Sequence, residues 1–78
     1  MYYTYALKSL HRKYIYVGLT NDIDRRVKQH QNGKEKTTKP YRPFELIFKE
    51  KYNTKVETRE KEKYLKSGIG KEFLKSLK

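Results

Sequence analysis

Apolar and polar residues alternate in three short stretches of the chain, and this pattern predicts three β-strands. In residues 2–8 and 14–18 a tyrosine or leucine recurs at every second position, and residues 44–48 form an apolar run that follows a proline. A period of two is typical of strands whose two faces differ. Residues 9–13 are then expected to form the turn of a hairpin that joins the first two strands.

A first helix is predicted where helix-starting residues follow the second strand. Residues 20–22 are candidate N-caps, and Asp24 stands three residues after Asn21, which is the spacing of a capping box. The helix is expected to span about residues 22–31 and to stop at the Asn-Gly pair of residues 32–33.

A second helix is predicted after Thr54, which begins a Thr-x-x-Glu capping box, and should run to about Lys66. Gly68 and Gly70 are expected to interrupt it, so that residues 71–77 form a short last helix. The resulting order, β-β-α-β-α-α, predicts an α+β fold in which helices flank a small three-stranded antiparallel sheet.

Composition restricts the size class of the protein and its partners. With 78 residues we expect a single domain over residues 1–78. The absence of cysteine excludes a disulfide framework and a thiolate zinc site, and favours the cytoplasm. Twenty Lys and Arg against nine acids give a net charge of +11 and favour a nucleic acid as partner. No apolar run is long enough for a membrane span, so no membrane interaction is expected.

Helical phase separates two adjacent arginines in the first predicted helix. Arg26 falls with Ile23 and Val27 on the apolar face, whereas Arg25 points away from it. Because an unpaired buried charge is costly, Arg26 is expected at the edge of a cleft, beside a carboxylate or a bound phosphate. An ion pair within the domain remains the alternative. His30 shares this face and is either a hydrogen-bonded core residue or a catalytic group.

The second predicted helix carries an acid on its inward side. Glu62 clusters there with Thr58, Leu65 and Ile69. A single inward carboxylate suits a Mg²⁺ ion that keeps several water ligands, which is the usual arrangement at phosphate sites. The alternative is an internal salt bridge between Glu62 and Arg26.

Gly18 follows Tyr16 by two positions and therefore shares its strand face. A glycine at this position removes a side chain that would cover the sheet, and it predicts room for a ligand backbone beside the phenol. Tyrosines elsewhere are expected to be core or interface residues, among them Tyr2, Tyr14 and Tyr64.

Together these residues resemble the GIY-YIG nuclease superfamily, and in particular its short stand-alone bacterial members, over essentially the whole chain. Tyr3-Thr4-Tyr5 and Tyr16-Val17-Gly18 resemble the two halves of the name motif. Three further residues resemble those of the family: Arg26 its arginine, His30 its common histidine and Glu62 its metal-binding glutamate. The first half lacks its glycine and isoleucine, and a leucine follows the second half where excision-repair relatives have a lysine.

The resemblance implies a metal-dependent endonuclease that hydrolyses phosphodiester bonds through one divalent ion, Mg²⁺ or Mn²⁺, held by Glu62. It implies that Arg26 neutralises charge that develops on the phosphoryl group. Tyr16 would orient or deprotonate the attacking water, with Tyr5 as its neighbour and substitute and His30 as the partner of the phenol. The tyrosines, Arg26 and Glu62 are expected to line one cleft. The products would be a 5′-phosphate and a 3′-hydroxyl.

The loop after the first helix is a candidate nucleic-acid contact. It carries four positive charges against one negative charge, and its basic residues are Lys34, Lys36, Lys39 and Arg42. Basic side chains of this kind bind phosphates with a marked dependence on salt. The alternative is a solvated loop whose charge serves only solubility.

Other functions remain open on the sequence alone. One is a nucleic-acid-binding module of the same fold with weak or no turnover, and another is a small RNA-associated protein. DNA is favoured over RNA, but the choice between them is also open, as is the presence of a partner protein or a homodimer.

Overall fold

A three-stranded antiparallel sheet forms the centre of the molecule. The computed structural model describes residues 1–77. Its strands are β1 (Tyr2–Ser9), β2 (Ile15–Thr20) and β3 (Phe44–Tyr52). The central strand is β1, so the spatial order is β2-β1-β3. Together with the helices described below, this sheet confirms the predicted α+β fold class.

The strands differ from the prediction mainly at their ends. β2 continues to Thr20 because β1 offers it partners as far as Tyr3. β3 likewise continues to Tyr52, which lies opposite Tyr2. The charged residues 49–51 show no apolar alternation and so conceal this extension in the sequence. Charged side chains are common on edge strands, where they oppose pairing with other chains.

Three α-helices and one 3₁₀ turn complete the described part of the chain. They are α1 (Ile23–Gln31), the 3₁₀ turn (Lys39–Tyr41), α2 (Lys55–Lys66) and α3 (Gly68–Ser76). Among residues 1–77, no helix combines the length and the apolar character that a membrane span requires.

The residues that cap the N-termini of α1 and α2 are among the candidate caps that the sequence pattern predicted. The side chain of Asp22 accepts a hydrogen bond from the backbone N–H of Arg25 at 3.2 Å, so the cap is Asp22 and not Asn21. In α2, the Thr54 hydroxyl accepts from the backbone N–H of Glu57 at 3.2 Å. Each cap satisfies a backbone donor that has no partner inside its helix.

α3 begins three residues earlier than predicted, because Ser67 caps both neighbouring helices. Its hydroxyl oxygen accepts a hydrogen bond from the backbone N–H of Gly70 at 3.2 Å. Gly68 and Gly70 therefore belong to the first turn of α3 and do not separate it from α2 by a loop. The change of direction at Ser67 leaves Ile69 exposed, so the inward stripe predicted for the second helix ends at Leu65.

The two faces of the sheet carry separate cores. The core on the α1 side contains the buried residues Tyr5, Leu7, Ile23 and Phe44. The core on the side of α2 and α3 contains Ala6, Val17, Leu65 and Leu74. Successive residues of β1 alternate between the two cores. The helices α1 and α2 therefore lie on opposite faces of the sheet.

Gly70→Ala is expected to destabilise the protein, because the added Cβ would overlap the carbonyl oxygen of Tyr64 and the Cα atom of Leu65. We expect the free energy of unfolding, measured by urea denaturation, to fall by about 1–3 kcal/mol. Gly68→Ala is the matched control, since no atom lies within 4 Å of its added methyl group. That variant should be unchanged or more stable by at most about 1 kcal/mol. Equal losses in both variants would contradict tight packing at Gly70.

Candidate active site

Tyr5 and Tyr16 lie side by side on the α1 face of the sheet. Their ring centroids are 6.1 Å apart, and Gly18 pairs with Tyr5 across β1 and β2. A Cβ atom at Gly18 would lie 2.8 Å from the Tyr5 hydroxyl oxygen and 2.9 Å from Cε2 of Tyr16. The glycine therefore makes room for the Tyr5 phenol, whereas the sequence suggested that this room serves a ligand.

His30 holds the Tyr5 hydroxyl in place from α1. Its Nε2 atom lies 2.9 Å from the Tyr5 oxygen, and its Nδ1 atom lies 2.9 Å from Oγ1 of Thr38. All three side chains are 0% exposed. His30 thus has the geometry of a hydrogen-bonded core residue, and its partner is Tyr5 rather than Tyr16. One buried chain of hydrogen bonds, which we call the Tyr5–His30–Thr38 chain, joins β1, α1 and the loop after α1.

The neighbours of the Tyr5–His30–Thr38 chain indicate which of its side-chain atoms carry protons. The Thr38 hydroxyl lies 3.5 Å from the backbone carbonyl oxygen of Glu35 and donates to it, so it accepts the proton on Nδ1 of His30. Nε2 of His30 then accepts a hydrogen bond from the Tyr5 hydroxyl. The approach of Arg26 to the same phenol agrees with this direction, because a guanidinium can only donate and the phenol oxygen must therefore be its acceptor. Burial, and then the charge of Arg26, lower the pKa of His30. The lowered pKa favours the neutral imidazole that this arrangement requires.

Tyr5 and Tyr16 differ in their access to solvent. Burial raises the pKa of Tyr5 far above its usual value, the neighbouring Tyr16 adds to the rise, and Arg26 opposes it. A phenol in this position keeps its proton, which suits Tyr5 to holding its neighbours in place. Tyr16 is only half-buried. It is the phenol of this pair that water and a substrate can reach.

Arg26 points inward, as helical phase predicted, and its ion-pair partner is Glu35. Its Nη1 atom lies 2.8 Å from Oε2 of Glu35 and 2.9 Å from Oε1 of Gln29. The Arg26 side chain is 27% exposed, whereas that of Arg25 is 66% exposed. Burial acts to lower the pKa of Arg26, but its hydrogen bonds to Glu35 and Tyr5 outweigh this effect and raise the pKa. Arg26 is therefore a permanent cation at the edge of the tyrosine cluster.

Glu62 lies on α2 and pairs with a lysine of the same helix. Its side chain is 16% exposed, and its carboxylate lies 3.0 Å from Nζ of Lys66. The alternative prediction of an ion pair between Glu62 and Arg26 is therefore wrong. The reason is topological, because α2 covers the sheet face opposite α1, where the Thr4 hydroxyl donates to the carbonyl oxygen of Thr58 at 2.8 Å.

The outer edge of β2 is where the two sides of the sheet meet. A groove of about 880 Å³ runs along this edge, and both Tyr16 and Lys66 line it. We call it the β2-edge groove. Through its pairing with Lys66, Glu62 approaches this edge from the α2 side. The other predicted catalytic residues form one cluster on the α1 side: Tyr5, Tyr16, Arg26 and His30. The expected single cleft is therefore not observed, because Glu62 belongs to the helix on the opposite face of the sheet.

The donor atoms of the chain restrict the kind of metal site that it can form. Within residues 1–77, no three His, Cys, Asp or Glu side chains come together as a metal cage. A single carboxylate such as that of Glu62 is enough for Mg²⁺ or Mn²⁺, because Mg²⁺ at phosphate sites is held by one or two carboxylates, substrate phosphates and several waters. The competing contact with Lys66 is an i,i+4 pair in which the lysine is 55% exposed. A divalent ion would take the place of this ammonium group as the positive partner of the largely buried carboxylate.

The basic loop after α1 is a fixed surface. Its four basic side chains are exposed: Lys34, Lys36, Lys39 and Arg42. The last three of them line a shallow depression of about 760 Å³. Buried Thr38 anchors the loop to α1, and Tyr41 stacks on Tyr14 with ring centroids 3.8 Å apart. The positions of these charges are therefore set by α1 and by the β1–β2 hairpin.

The sequence pattern did not identify Glu35 and Thr38 as neighbours of the tyrosine cluster. Both lie in the loop, where helical periodicity makes no prediction. Glu35 is the single acid among the basic residues 34–42. That isolation was the available signal that it has a cationic partner.

Tyr5→Phe is expected to lower the free energy of unfolding by about 1–3 kcal/mol, because it leaves Nε2 of the buried His30 without a donor. Tyr16→Phe is the matched variant and should cost less than about 1 kcal/mol, because water reaches the place of its half-buried hydroxyl. Urea denaturation of both variants at neutral pH measures the difference. A larger loss in Tyr16→Phe than in Tyr5→Phe would contradict the Tyr5–His30–Thr38 chain.

Proteins of similar sequence are small bacterial proteins. The UPF0213 protein YazA of Bacillus subtilis is 52% identical over 52 residues, which make up 65% of this chain and 52% of YazA. A UPF0213 protein of Staphylococcus epidermidis is 39% identical over 64 residues, which make up 81% of this chain and 78% of that protein. The chain thus spans about half the length of YazA and more of the staphylococcal protein.

A solved structure and a family model extend these similarities to the fold and to the whole domain. The solution NMR structure of a UPF0213 protein from Bacillus halodurans matches 100% of this chain and 86% of that protein, with a TM-score of 0.58 and 38% identity. The family model of the GIY-YIG catalytic domain matches residues 1–73. The chain therefore belongs to the GIY-YIG family of nuclease domains.

Proposed function

We propose that residues 1–78 form a metal-dependent endonuclease that hydrolyses phosphodiester bonds of nucleic acid, with DNA as the favoured substrate. The observation that carries this proposal is the arrangement around the edge of β2. An accessible phenol, Tyr16, lies beside Tyr5, which faces Arg26, on one side, and Glu62 approaches from the other. Phosphodiester hydrolysis needs a positioned water, a cation for the phosphoryl oxygens and a ligand for a divalent ion.

Arg26 supplies the cation for the phosphoryl group. It is partly removed from water, so that a contact with phosphate is stronger there than on an open surface. Gln29 and Glu35 both use its Nη1 atom, so a phosphate can approach through a guanidinium nitrogen that neither they nor Tyr5 occupies. The bound phosphate then competes with the Glu35 carboxylate for the same positive charge.

Tyr16 orients the attacking water with its hydroxyl group. The ring of Tyr16 is held by the buried residues beneath it, with centroid distances of 4.8 Å to His30 and 6.1 Å to Tyr5. This support restricts the direction in which the phenol can hold a water. Tyr5 and His30 act as positioning residues in this proposal, because neither has exposed surface that a substrate could touch.

Glu62 is the proposed ligand of the divalent ion. When it is bound, Mg²⁺ or Mn²⁺ neutralises charge on the phosphate and stabilises the leaving oxygen. The ion would replace Lys66, which contacts the Glu62 carboxylate at 3.0 Å, as the positive partner of that carboxylate. The released ammonium group stays at the β2-edge groove, where it can bind a neighbouring phosphate.

A second function, binding without turnover, is favoured by one specific observation. Both ionic groups of the proposed site have internal partners, Arg26 with Glu35 at 2.8 Å and Glu62 with Lys66 at 3.0 Å. These pairs neutralise the two groups that hydrolysis needs. The exposed lysines of the loop would still bind a polyanion, either DNA or RNA.

Glu62→Gln separates these two functions. It should abolish cleavage of plasmid and oligonucleotide substrates in Mg²⁺ or Mn²⁺, because the metal ligand is removed. Nucleic-acid binding should persist or become tighter, because one negative charge is removed from the phosphate site. Glu60→Gln, at an exposed position of the same helix, is the control and should cleave at the wild-type rate. Full turnover of Glu62→Gln at saturating Mg²⁺ would assign Glu62 a structural role, and no cleavage by the wild type would favour the binding module.

The two adjacent arginines provide an internal comparison for the same reaction. Arg26→Ala should lower the single-turnover cleavage rate by roughly two or more orders of magnitude, as expected when a donor to developing charge is removed. Arg25→Ala removes an equal charge from the exposed side of α1 and should mainly weaken binding in a salt-dependent way. Equal effects of the two variants on the rate would contradict the assignment of Arg26.

A further inference from the structure

Lysines from distant parts of the chain converge on the β2-edge groove. Five of them line it: Lys8, Lys13, Lys66, Lys71 and Lys75. They come from β1, from the hairpin turn, from the end of α2 and from α3. No single motif in the sequence therefore marks them as a group. Tyr16 lies among them in the lining of the same groove.

Acidic side chains do little to neutralise this groove. No Asp or Glu is among its lining residues within the described part of the chain. Lys75 has an acidic neighbour, Glu72, at 3.8 Å, but both side chains are well exposed and such a pair is weak. Lys66 is held by Glu62, as described above, and Lys8, Lys13 and Lys71 form no ion pair within residues 1–77.

The shape and chemistry of the groove suit a polymer with regularly spaced negative charges. β2 is an edge strand, and residues 14–17 line the groove in succession, so the groove follows one side of an extended backbone. A small anion would contact only one or two of the converging lysines, whereas a phosphodiester backbone can contact several in succession. The half-buried rings of Tyr14 and Tyr16 add aromatic surface to the groove, and such surface can contact bases.

The groove is also connected to the basic loop. Tyr14 lines the groove and stacks on Tyr41, which lies between Lys39 and Arg42. The guanidinium of Arg12 lies 5.7 Å from the centre of the Tyr41 ring. Positive charge therefore continues from the groove, past the stacked tyrosines, to the depression in the loop.

We infer that the β2-edge groove binds the backbone of a nucleic-acid strand and leads it to Tyr16. This inference rests on the proposed function, because it identifies the surface that would deliver the substrate to that site. The strand is held by Lys13, Lys71 and Lys75 at positions away from the chemistry. Lys66 contacts the phosphate nearest to Glu62.

The test uses two triple variants that remove the same charge from different surfaces. Lys13→Ala/Lys71→Ala/Lys75→Ala changes the groove, and Lys49→Ala/Lys51→Ala/Lys55→Ala changes exposed positions of β3 and α2. Binding of a labelled single-stranded oligonucleotide is measured by fluorescence anisotropy in EDTA, so that no cleavage occurs, over a range of KCl concentrations. The same titration with the corresponding duplex and with an RNA of the same sequence distinguishes the sources of the phosphodiester backbone.

The groove variant should bind more weakly than the control variant, by about five-fold at 0.1 M salt for each phosphate that it no longer neutralises. The slope of log K against log[salt] should become shallower by about 0.7 for each such phosphate of a single strand. Amide resonances of Ile15–Thr20 should shift in the wild type when the oligonucleotide is added. Equal weakening in both variants would overturn the inference. Weakening seen only in a third triple variant, Lys34→Ala/Lys36→Ala/Lys39→Ala in the basic loop, would overturn it as well.

Cleavage by the wild type distinguishes a failure of this inference from a failure of the proposed function. If the wild type cleaves and the groove variant keeps the wild-type salt dependence, the groove assignment is wrong and the endonuclease proposal stands. If the wild type neither binds nor cleaves DNA or RNA, both are wrong.

Discussion

The buried Tyr5–His30–Thr38 chain is the constraint on which the candidate site depends. Its hydrogen bonds, each 2.9 Å long, connect the central strand to α1 and then to the loop. Because all of its polar atoms are away from water, the loss of any one would leave another unsatisfied. These hydrogen bonds fix the loop against α1, and the loop in turn brings Glu35 to Arg26. The glycine at position 18 completes the arrangement by leaving space for the Tyr5 hydroxyl.

The sheet separates the residues of the proposed chemistry into two groups. The tyrosines, His30 and Arg26 belong to the α1 side, and Glu62 belongs to the helix that covers the other side. The edge strand β2 borders both sides of the sheet, and it is there that Tyr16 and Lys66 line one groove. A three-stranded sheet is narrow enough for its edge to be close to both cores, which is why so small a domain can combine groups from both faces.

Local patterns predicted much of the fold, and helical phase predicted the inward direction of Arg26. Thr54 marked the start of α2 because its capping box is a local signal. Phase shows which side of a helix faces the sheet, but not which face of the sheet that helix covers, and for this reason it suggested a contact between Arg26 and Glu62. The double role of Ser67 was also hidden, since a serine followed by Gly-Ile-Gly is equally typical of a break between helices. Loop partners such as Glu35 depend on tertiary contacts that no periodicity records.

The ion pair between Arg26 and Glu35 also has a consequence for selectivity among anions. Glu35 is attached to the same domain, so it competes for the guanidinium at a high effective concentration. A free phosphate ion that reaches Arg26 must compete with this carboxylate for the positive charge through the energy of a single contact. A polymer that competes with Glu35 for Arg26 is also held by contacts made elsewhere on the basic surface. The carboxylate thereby acts as a built-in threshold that excludes small anions and admits ligands that bind at several points.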